Sequence, residues 1–427
     1  MRVVRVALIA GVVALAPALV LANGFALFEH GSRAVGMGGA FGAVADDPSA
    51  SYFNPAGLAF LDGTQSMAGF FLITESSTFT GDNPYPGAGY TVDMEKQIFY
   101  PLHAHLTGHF NDTFAWGVSL TTPFGLGTWW PDDYAGKYIT KRVDLRLFNV
   151  NPNLAIKLSD RVALAVGFDA YFSSVDLTRS ISSQAVNPYT QQVDEIGQVH
   201  LYTDYESGFG YNAALLAKLG GGFSLGATYR SRVKIEYGGN ASFVQFETGY
   251  PDFDAIVSGS LPFDSNPAGN TEVTFPADIR IALAWQGENW TFAADAVRVG
   301  WDSFDELPIT LPDYPELSSV RPENYEDVTT YRFGIEHRWE KVAVQVGYLI
   351  DPTPVPTESV SPLLPDAERV GYSVGLSYNF SPRVRVDAAY LYLPFDERST
   401  EGLDPEGFNG TYDTKAHLFG MSLVFRF

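Results

Sequence analysis

Tight and long connections alternate along this chain, and that alternation limits its fold more than any other feature. From Thr64 onward apolar residues recur at every second position. Phe114, Trp116, Val118 and Leu120 share one face of a run, and Leu164, Val166, Phe168 and Phe172 share another. A 180° period marks strands whose two faces meet different surroundings. About fourteen runs of this kind can be marked: near 65–77, 95–109, 113–122, 143–158, 161–175, 208–219, 223–237, 272–285, 290–301, 328–339, 341–350, 370–380, 383–394 and 414–427. Every second connection between them is tight, as at Asn111, Ser159, Gly221, Glu340 and Ser381. The others are long and rich in Asp, Glu, Pro and Gly, roughly 175–207, 238–271, 302–327, 351–369 and 395–413. All tight turns therefore lie at one end of the sheet and all large loops at the other. That layout predicts an all-β fold, a transmembrane antiparallel β-barrel of about fourteen strands. A soluble sandwich is the alternative, but its connections do not sort by length onto two ends.

The polar faces agree with a barrel. With 223–237 read as one strand, Arg230, Arg232 and Lys234 oppose the apolar set; Asp278 with Arg280, and Arg332 with Glu336, do the same on later strands. An ionised group facing lipid near the midplane costs about 2–4 kcal/mol, so these residues are placed in the lumen. Aromatic residues make up 14% of the chain, as suits lipid-facing strands, and Trp129, Trp130 and Tyr134 are assigned to the interfacial belt. The net charge of −22 disfavours nucleic acid as a partner, and with no cysteine there is no disulfide. Arg2 and Arg5, the apolar run 6–21 and the ending Val20-Leu21-Ala22 predict a signal peptide at 1–22, cleaved on export to the bacterial outer membrane. The final run "LFGMSLVFRF", ending in Phe427, resembles the signal read by the barrel assembly machinery.

Residues 23–63 fit neither period. They are rich in Gly and Ala, carry Asp46-Asp47, and turn at Asn54-Pro55-Ala56-Gly57. Fourteen strands enclose a lumen wide enough to leak. A stretch of small side chains with no apolar core of its own suits a plug, or hatch, inside that lumen, with the barrel occupying 64–427.

"NGFALFEHGSRAVGMGGAFGAVADDPSASYFNPAGLAFL" resembles the amino-terminal region of the FadL-type outer-membrane transporters, as do "TTPFGLGTWW", "VNPNLAIKLSD" and "VGWDSF" further on. The resemblance spans the mature chain and implies a fourteen-stranded barrel closed by a hatch, taking up long-chain fatty acids or aromatic hydrocarbons. It also implies that Asn54, Pro55 and Ala56 form the hatch motif and that Phe25 lines a ligand pocket. An inward kink in the third strand, within residues 114–123 and so among Phe114, Trp116 and Pro123, would open the wall.

The chemistry fits such a task. Phe243, Phe246, Tyr250, Phe253 and Phe263 make one long loop unusually apolar, either for capturing hydrophobic molecules or for capping the barrel. Arg230, Arg232, Arg280 and Arg332 are candidates to meet a carboxylate head group; pairing with Asp169, Asp278 and Asp295 is the competing role. His103, His105 and His109 share a face without an accompanying carboxylate, so a lumen wall is favoured over a metal site. "VGMGGAFG" lacks the last Gly of a dinucleotide fingerprint and no preceding strand leads into it. No enzyme, cofactor or metal is expected. The partners expected are hydrophobic small molecules, membrane lipid and lipopolysaccharide, with the barrel a monomer. A polar-solute porin or an adhesin is the alternative function.

Overall fold

A computed structural model of the chain describes residues 23–183 and 186–427; the stretch read as a signal peptide lies outside them. Fourteen barrel strands follow in order: β1 (Gln65–Gly81), β2 (Leu102–His109), β3 (Phe114–Thr121, resuming as Gly125–Trp129), β4 (Arg142–Lys157), β5 (Val162–Ser182), β6 (Glu195–Thr203 and Glu206–Gly220) and β7 (Phe223–Arg230 and Val233–Gln245). β8 (Ala268–Phe275 and Asp278–Gln286), β9 (Trp290–Val299), β10 (Val328–Arg338), β11 (Val342–Asp351), β12 (Arg369–Ser381), β13 (Val384–Pro394) and β14 (Gly410–Arg426) complete the set. Each pairs antiparallel with its neighbours, and β1 closes the ring against β14 from Gln65↔Arg426 to Gly81↔Gly410. All backbone groups of a closed sheet find partners within it, which is what lets strands cross lipid.

The alternation read from the sequence is the alternation of burial. Outward side chains such as Val166, Phe209, Ile281, Val346 and Val374 are exposed, while their neighbours are buried. On β7, however, the alternation slips by one residue. Ser231 and Arg232 interrupt the ladder, so Arg230 points in and is buried, whereas Arg232 and Lys234 point out. The expected inward placement of Arg232 and Lys234 is therefore corrected. Lys234 pairs instead with Glu272 of β8 at 2.7 Å.

The slip has a structural cause. β6 and β7 are paired at Asn212↔Arg230 and again at Thr203↔Gly239, with no ladder between. In that interval β7 bows inward, and Tyr237 donates a hydrogen bond to Ser173 Oγ of β5 at 2.8 Å. Val233 and Ile235 lie on the inner face of β6 at Gly208, where an added Cβ would stand 2.7 Å from both side chains. Only a glycine admits so close an approach.

Two members of the expected aromatic belt are also corrected. Trp130 and Tyr134 are buried inside, with the Trp130 indole N–H donating to the Pro362 carbonyl at 3.0 Å. Trp129 alone is exposed, under the Arg142 guanidinium. They occupy the turn after β3, which folds over the lumen, so aromatic character there signals packing and not the lipid boundary.

Residues 23–63 sit within the barrel. Helix α1 (Ser32–Gly36) packs against β11–β14, and a 3-10 helix (Pro55–Phe60) against β2–β6 on the other arc of the wall. A second short helix, α2 (Ala50–Phe53), links the two sides.

Candidate functional site

The Asn54-Pro55-Ala56-Gly57 turn locks the inner segment to the wall. Asn54 Oδ1 caps the 3-10 helix by accepting the Ala56 N–H at 3.1 Å. Its amide nitrogen donates to Gly42 O at 2.7 Å and to Leu215 O of β6 at 3.0 Å. Pro55 begins the helix with a fixed φ and no N–H to satisfy. Gly57 passes so close to Ala45 that a Cβ would lie 2.4 Å from its carbonyl oxygen.

Asp46 and Asp47 hold the opposite side. Arg33 of α1 reaches Asp46 at 2.5 Å and Glu336 of β10 at 2.6 Å. Asp47 accepts from Ser49 Oγ at 2.6 Å and pairs with Arg385 of β13 at 2.8 Å. Burial opposes the charge on Asp47, but Arg385 and Arg33 together bring its pKa below the usual carboxylate value. Removing one member of such a buried network strands the rest, at about 3–5 kcal/mol.

Ahead of these anchors, residues 23–30 run through the middle of the lumen. Phe25 is caged by Trp301, Phe304, Phe124 and Phe275, with ring centroids 4.7, 5.7, 6.2 and 6.4 Å away. Trp301 Nε1 donates to Asn23 Oδ1 at 2.9 Å. Asp366, in the loop before β12, accepts the Gly24 N–H at 3.1 Å and the Thr353 hydroxyl at 2.7 Å. Burial pushes the Asp366 carboxyl up to about 6, and Glu29 up to about 7.

The same residues complete the wall at the break in β3. Between Thr121 and Gly125 this strand leaves its ladder, and the chain supplies its own substitute. Leu27 N–H donates to Pro123 O at 2.8 Å, Gly125 N–H donates to Phe25 O at 3.1 Å, and Ala26 lies opposite Phe124. Pro123 thus lies at the break, whereas Phe114 and Trp116 lie below it in the paired part of the strand.

Three cavities follow one another along this segment. The outermost, about 1120 Å³, lies under the loops and is lined by Leu177, Phe243, Phe253, Val257, Leu307 and Leu363 among others. Next is a small apolar pocket of about 60 Å³ bounded by Phe25, Leu145, Val273, Phe304 and Tyr325, sharing Leu177, Leu307 and Leu363 with the first. The third, about 50 Å³, is lined by Ala26, Leu27, Phe28, Pro123, Phe124 and the polar side chains Arg230, Arg280, Arg332 and Asp278. The outer two are largely apolar, and the third is walled by charge.

The long apolar loop is partly strand and helix. Phe243 lies on β7, and Phe253 on helix α3 (Pro251–Ser258), where it is buried with Val257 against Ile196. Phe263 and Tyr250 pack beside that cluster, Tyr250 stacking on Tyr189, while Phe246 is half-buried at the end of β7. Ile256 of the same helix faces the outer cavity and is 71% exposed.

Comparison with known proteins decides the family. The family model for "Outer membrane protein transport protein (OMPP1/FadL/TodX)" matches residues 13–427. The chain belongs to this family. It is similar to the long-chain fatty acid transport protein of Escherichia coli O6:H1, 26% identical over 95% of this chain and 94% of that protein. It is also similar to outer membrane protein P1 of Haemophilus influenzae, at 22% identity over 97% and 98%. In fold it matches a Pseudomonas aeruginosa FadL homologue (TM-score 0.83, 19% identity, 95% and 100% covered) and the Pseudomonas putida toluene transporter TodX (0.71, 17%, 94% and 99%). The protein is a bacterial outer-membrane β-barrel, and members of its family are transporters and channels, not enzymes.

Sequence reasoning on this FadL-type chain missed the cage around Phe25. Trp301 and Phe304 lie in "VGWDSF" and Phe124 in "TTPFGLGTWW", both marked above as family-like stretches but given no role. Asp366 carried no signal, being one acid among many in a long loop. Of the candidate arginines, Arg230 pairs with Asp169, and Arg280 with Asp295 at 2.7 Å. Arg332 lies opposite Asp295 on the neighbouring strand; it is 3% exposed, and Nε and Nη1 have no hydrogen-bond partner among the described residues. His103 hydrogen-bonds Ser422 of β14 over Gly69 of β1, and His105 hydrogen-bonds Ser51 of α2 inside the barrel.

Proposed function

We propose that this barrel is a passive uptake channel for hydrophobic molecules, long-chain fatty acids or hydrocarbons, with residues 23–63 as its plug. A molecule leaves the water for the outer apolar cavity and moves inward to the pocket closed by Phe25. Burying ~300 Å² of alkyl surface at ~25 cal/mol per Å² gives roughly 7 kcal/mol, near the micromolar range. Displacement of residues 25–27 then opens the break in β3, and the molecule leaves sideways into the membrane without entering water. The barrel acts as a monomer, its outward band meeting membrane lipid and its upper rim lipopolysaccharide.

One observation carries this reading: the residues that close the pocket are the residues that fill the wall. Phe25 lines the apolar pocket, while Phe25 O and Leu27 N–H make the backbone bonds that β3 lacks. A ligand that moves the one necessarily opens the other.

The pair Ala26↔Phe124 tests the coupling. The flanking hydrogen bonds make it a non-hydrogen-bonded antiparallel pair, with Cα atoms ~4.5 Å apart, within reach of a disulfide. The chain has no other cysteine. The double variant Ala26→Cys/Phe124→Cys is expected to lose uptake of a labelled fatty acid when oxidised and regain it when reduced. Uptake indifferent to the oxidised bond would overturn the route.

A further inference from the structure

The break in β3 has a second closure besides residues 25–27. β2 and β3 are paired from His109↔Ala115 up to Ala104↔Leu120, and the chain entering β2 meets β3 again where the Glu95 N–H donates to Trp129 O at 2.7 Å. Between these points, among the described residues, no ladder joins the two strands. The chain entering β2 stays on β1 through this interval. Ile73 and Phe99 exchange backbone hydrogen bonds at 2.8 and 2.9 Å, and the Phe71 N–H donates to Pro101 O at 3.0 Å. A slit is left between residues 96–102 and 122–128.

The two edges of the slit overlap instead of abutting. Phe99 takes the inward side of its segment, as its bridge partner Ile73 does, and packs on the cluster that holds Phe28, Val35 and Phe71. Gly127 shares its side of β3 with Trp129, which is exposed on the outer surface. Yet a Cβ on Gly127 would fall within the Phe99 ring. An inward ring thus lies on an outward face, so at this height β3 runs inside the chain entering β2. Leu27 sits on the same face of β3 one step lower, 3.4 Å from where a Cβ of Gly125 would stand. Phe99 from the wall and Leu27 from the amino-terminal segment therefore fill what the missing ladder leaves open. Outside them, Ile98, Tyr100 and Leu102 are exposed and give the slit an apolar lip.

We propose that Phe99 is the size filter of the lateral exit: once residues 25–27 have moved and taken Leu27 with them, its ring fixes the cross-section of the molecule that passes. This rests on the uptake reading above and adds to it a residue that selects among hydrophobic molecules by shape. A straight alkyl chain passes beside a ring that turns about its own side-chain bonds. A methyl-branched skeleton needs the volume of the ring itself, which a close-packed seam does not yield. Phe99 is not part of the lining of the three cavities described above, so it acts on passage and not on capture.

The test uses proteoliposomes carrying the full-length protein, with labelled hexadecanoic acid and labelled phytanic acid, which bears methyl branches on the same main chain. Binding and transfer of each are measured and corrected for protein-free liposomes. In Phe99→Ala the branched-to-linear transfer ratio is expected to rise about tenfold, while the ratio of binding affinities stays within about twofold of wild type. Phe99→Trp is expected to slow the linear acid severalfold. Phe99→Leu, which keeps an apolar side chain on the cluster, is expected to raise the ratio less, and it serves as the test if Phe99→Ala does not fold. A transfer ratio unmoved by these substitutions, or one that moves only as far as the binding ratio, overturns the filter alone. Wild type that transfers neither acid overturns the uptake reading beneath it.

Discussion

Phe25 shows how far a single residue can be understood from its neighbours. Four aromatic rings surround it, each pair contributing about 0.5–1.5 kcal/mol beyond buried area, so it is held firmly yet by contacts a greasy ligand could replace. Phe25→Ala is expected to weaken binding of a spin-labelled fatty acid about tenfold or more while leaving the barrel folded; unchanged affinity would remove Phe25 from the pocket. Asp366 gives this segment a pH dependence. An exposed Asp titrates near ~4, whereas burial raises Asp366 to about 6 and Glu29 to about 7. The held state therefore binds protons more tightly than a released, solvated one, so raising pH from about 4 to about 7 favours release. Hydrogen-exchange protection of residues 24–30, corrected for intrinsic rates, should fall between pH 5 and pH 8, and fall less in Asp366→Asn. The sequence exposed the Asn54-Pro55-Ala56-Gly57 turn because turn chemistry is local. It could not expose the bond between Gly24 and Asp366, 342 positions apart, because no period or spacing relates them.

At the scale of elements, a period of two fixes which side chains share a face but not where a strand departs from its partner. Hence all fourteen strands could be read, and the lipid face of β5 or β14 with them, while Arg232 and Lys234 were placed on the wrong side of a two-residue break. Two of the broken strands, β3 and β7, leave their ladders at the break. β3 is completed by residues 25–27, and β7 is laid over β6. Glycine at 208 permits the second. Gly208→Val would drive methyl groups into Val233 and Ile235, at about 1–3 kcal/mol for an overpacked contact. The temperature at which the folded barrel unfolds in detergent is expected to drop by a few degrees. Gly238→Val on β7, where a Cβ has no neighbour nearer than 3.8 Å, should leave it unchanged. Equal effects at both positions would contradict the layered arrangement of β6 and β7.

Seen whole, the molecule separates two tasks by side of strand. Apolar residues outside satisfy the membrane, and paired charges inside fasten residues 23–63 through Arg33, Asp47, Glu336 and Arg385. The leading residues 23–30 lie outside that ionic frame, threaded between an apolar pocket and a gap in the wall. Such a barrel should be closed to ions and sugars and open to molecules that dissolve in its cavities. The direct measurement is permeability in proteoliposomes carrying the purified full-length protein, with a labelled long-chain fatty acid and a small sugar assayed side by side. The account predicts transfer of the fatty acid well above protein-free liposomes, with sugar entry no faster than theirs. Rapid sugar entry with no gain for the fatty acid would show an aqueous pore and contradict it.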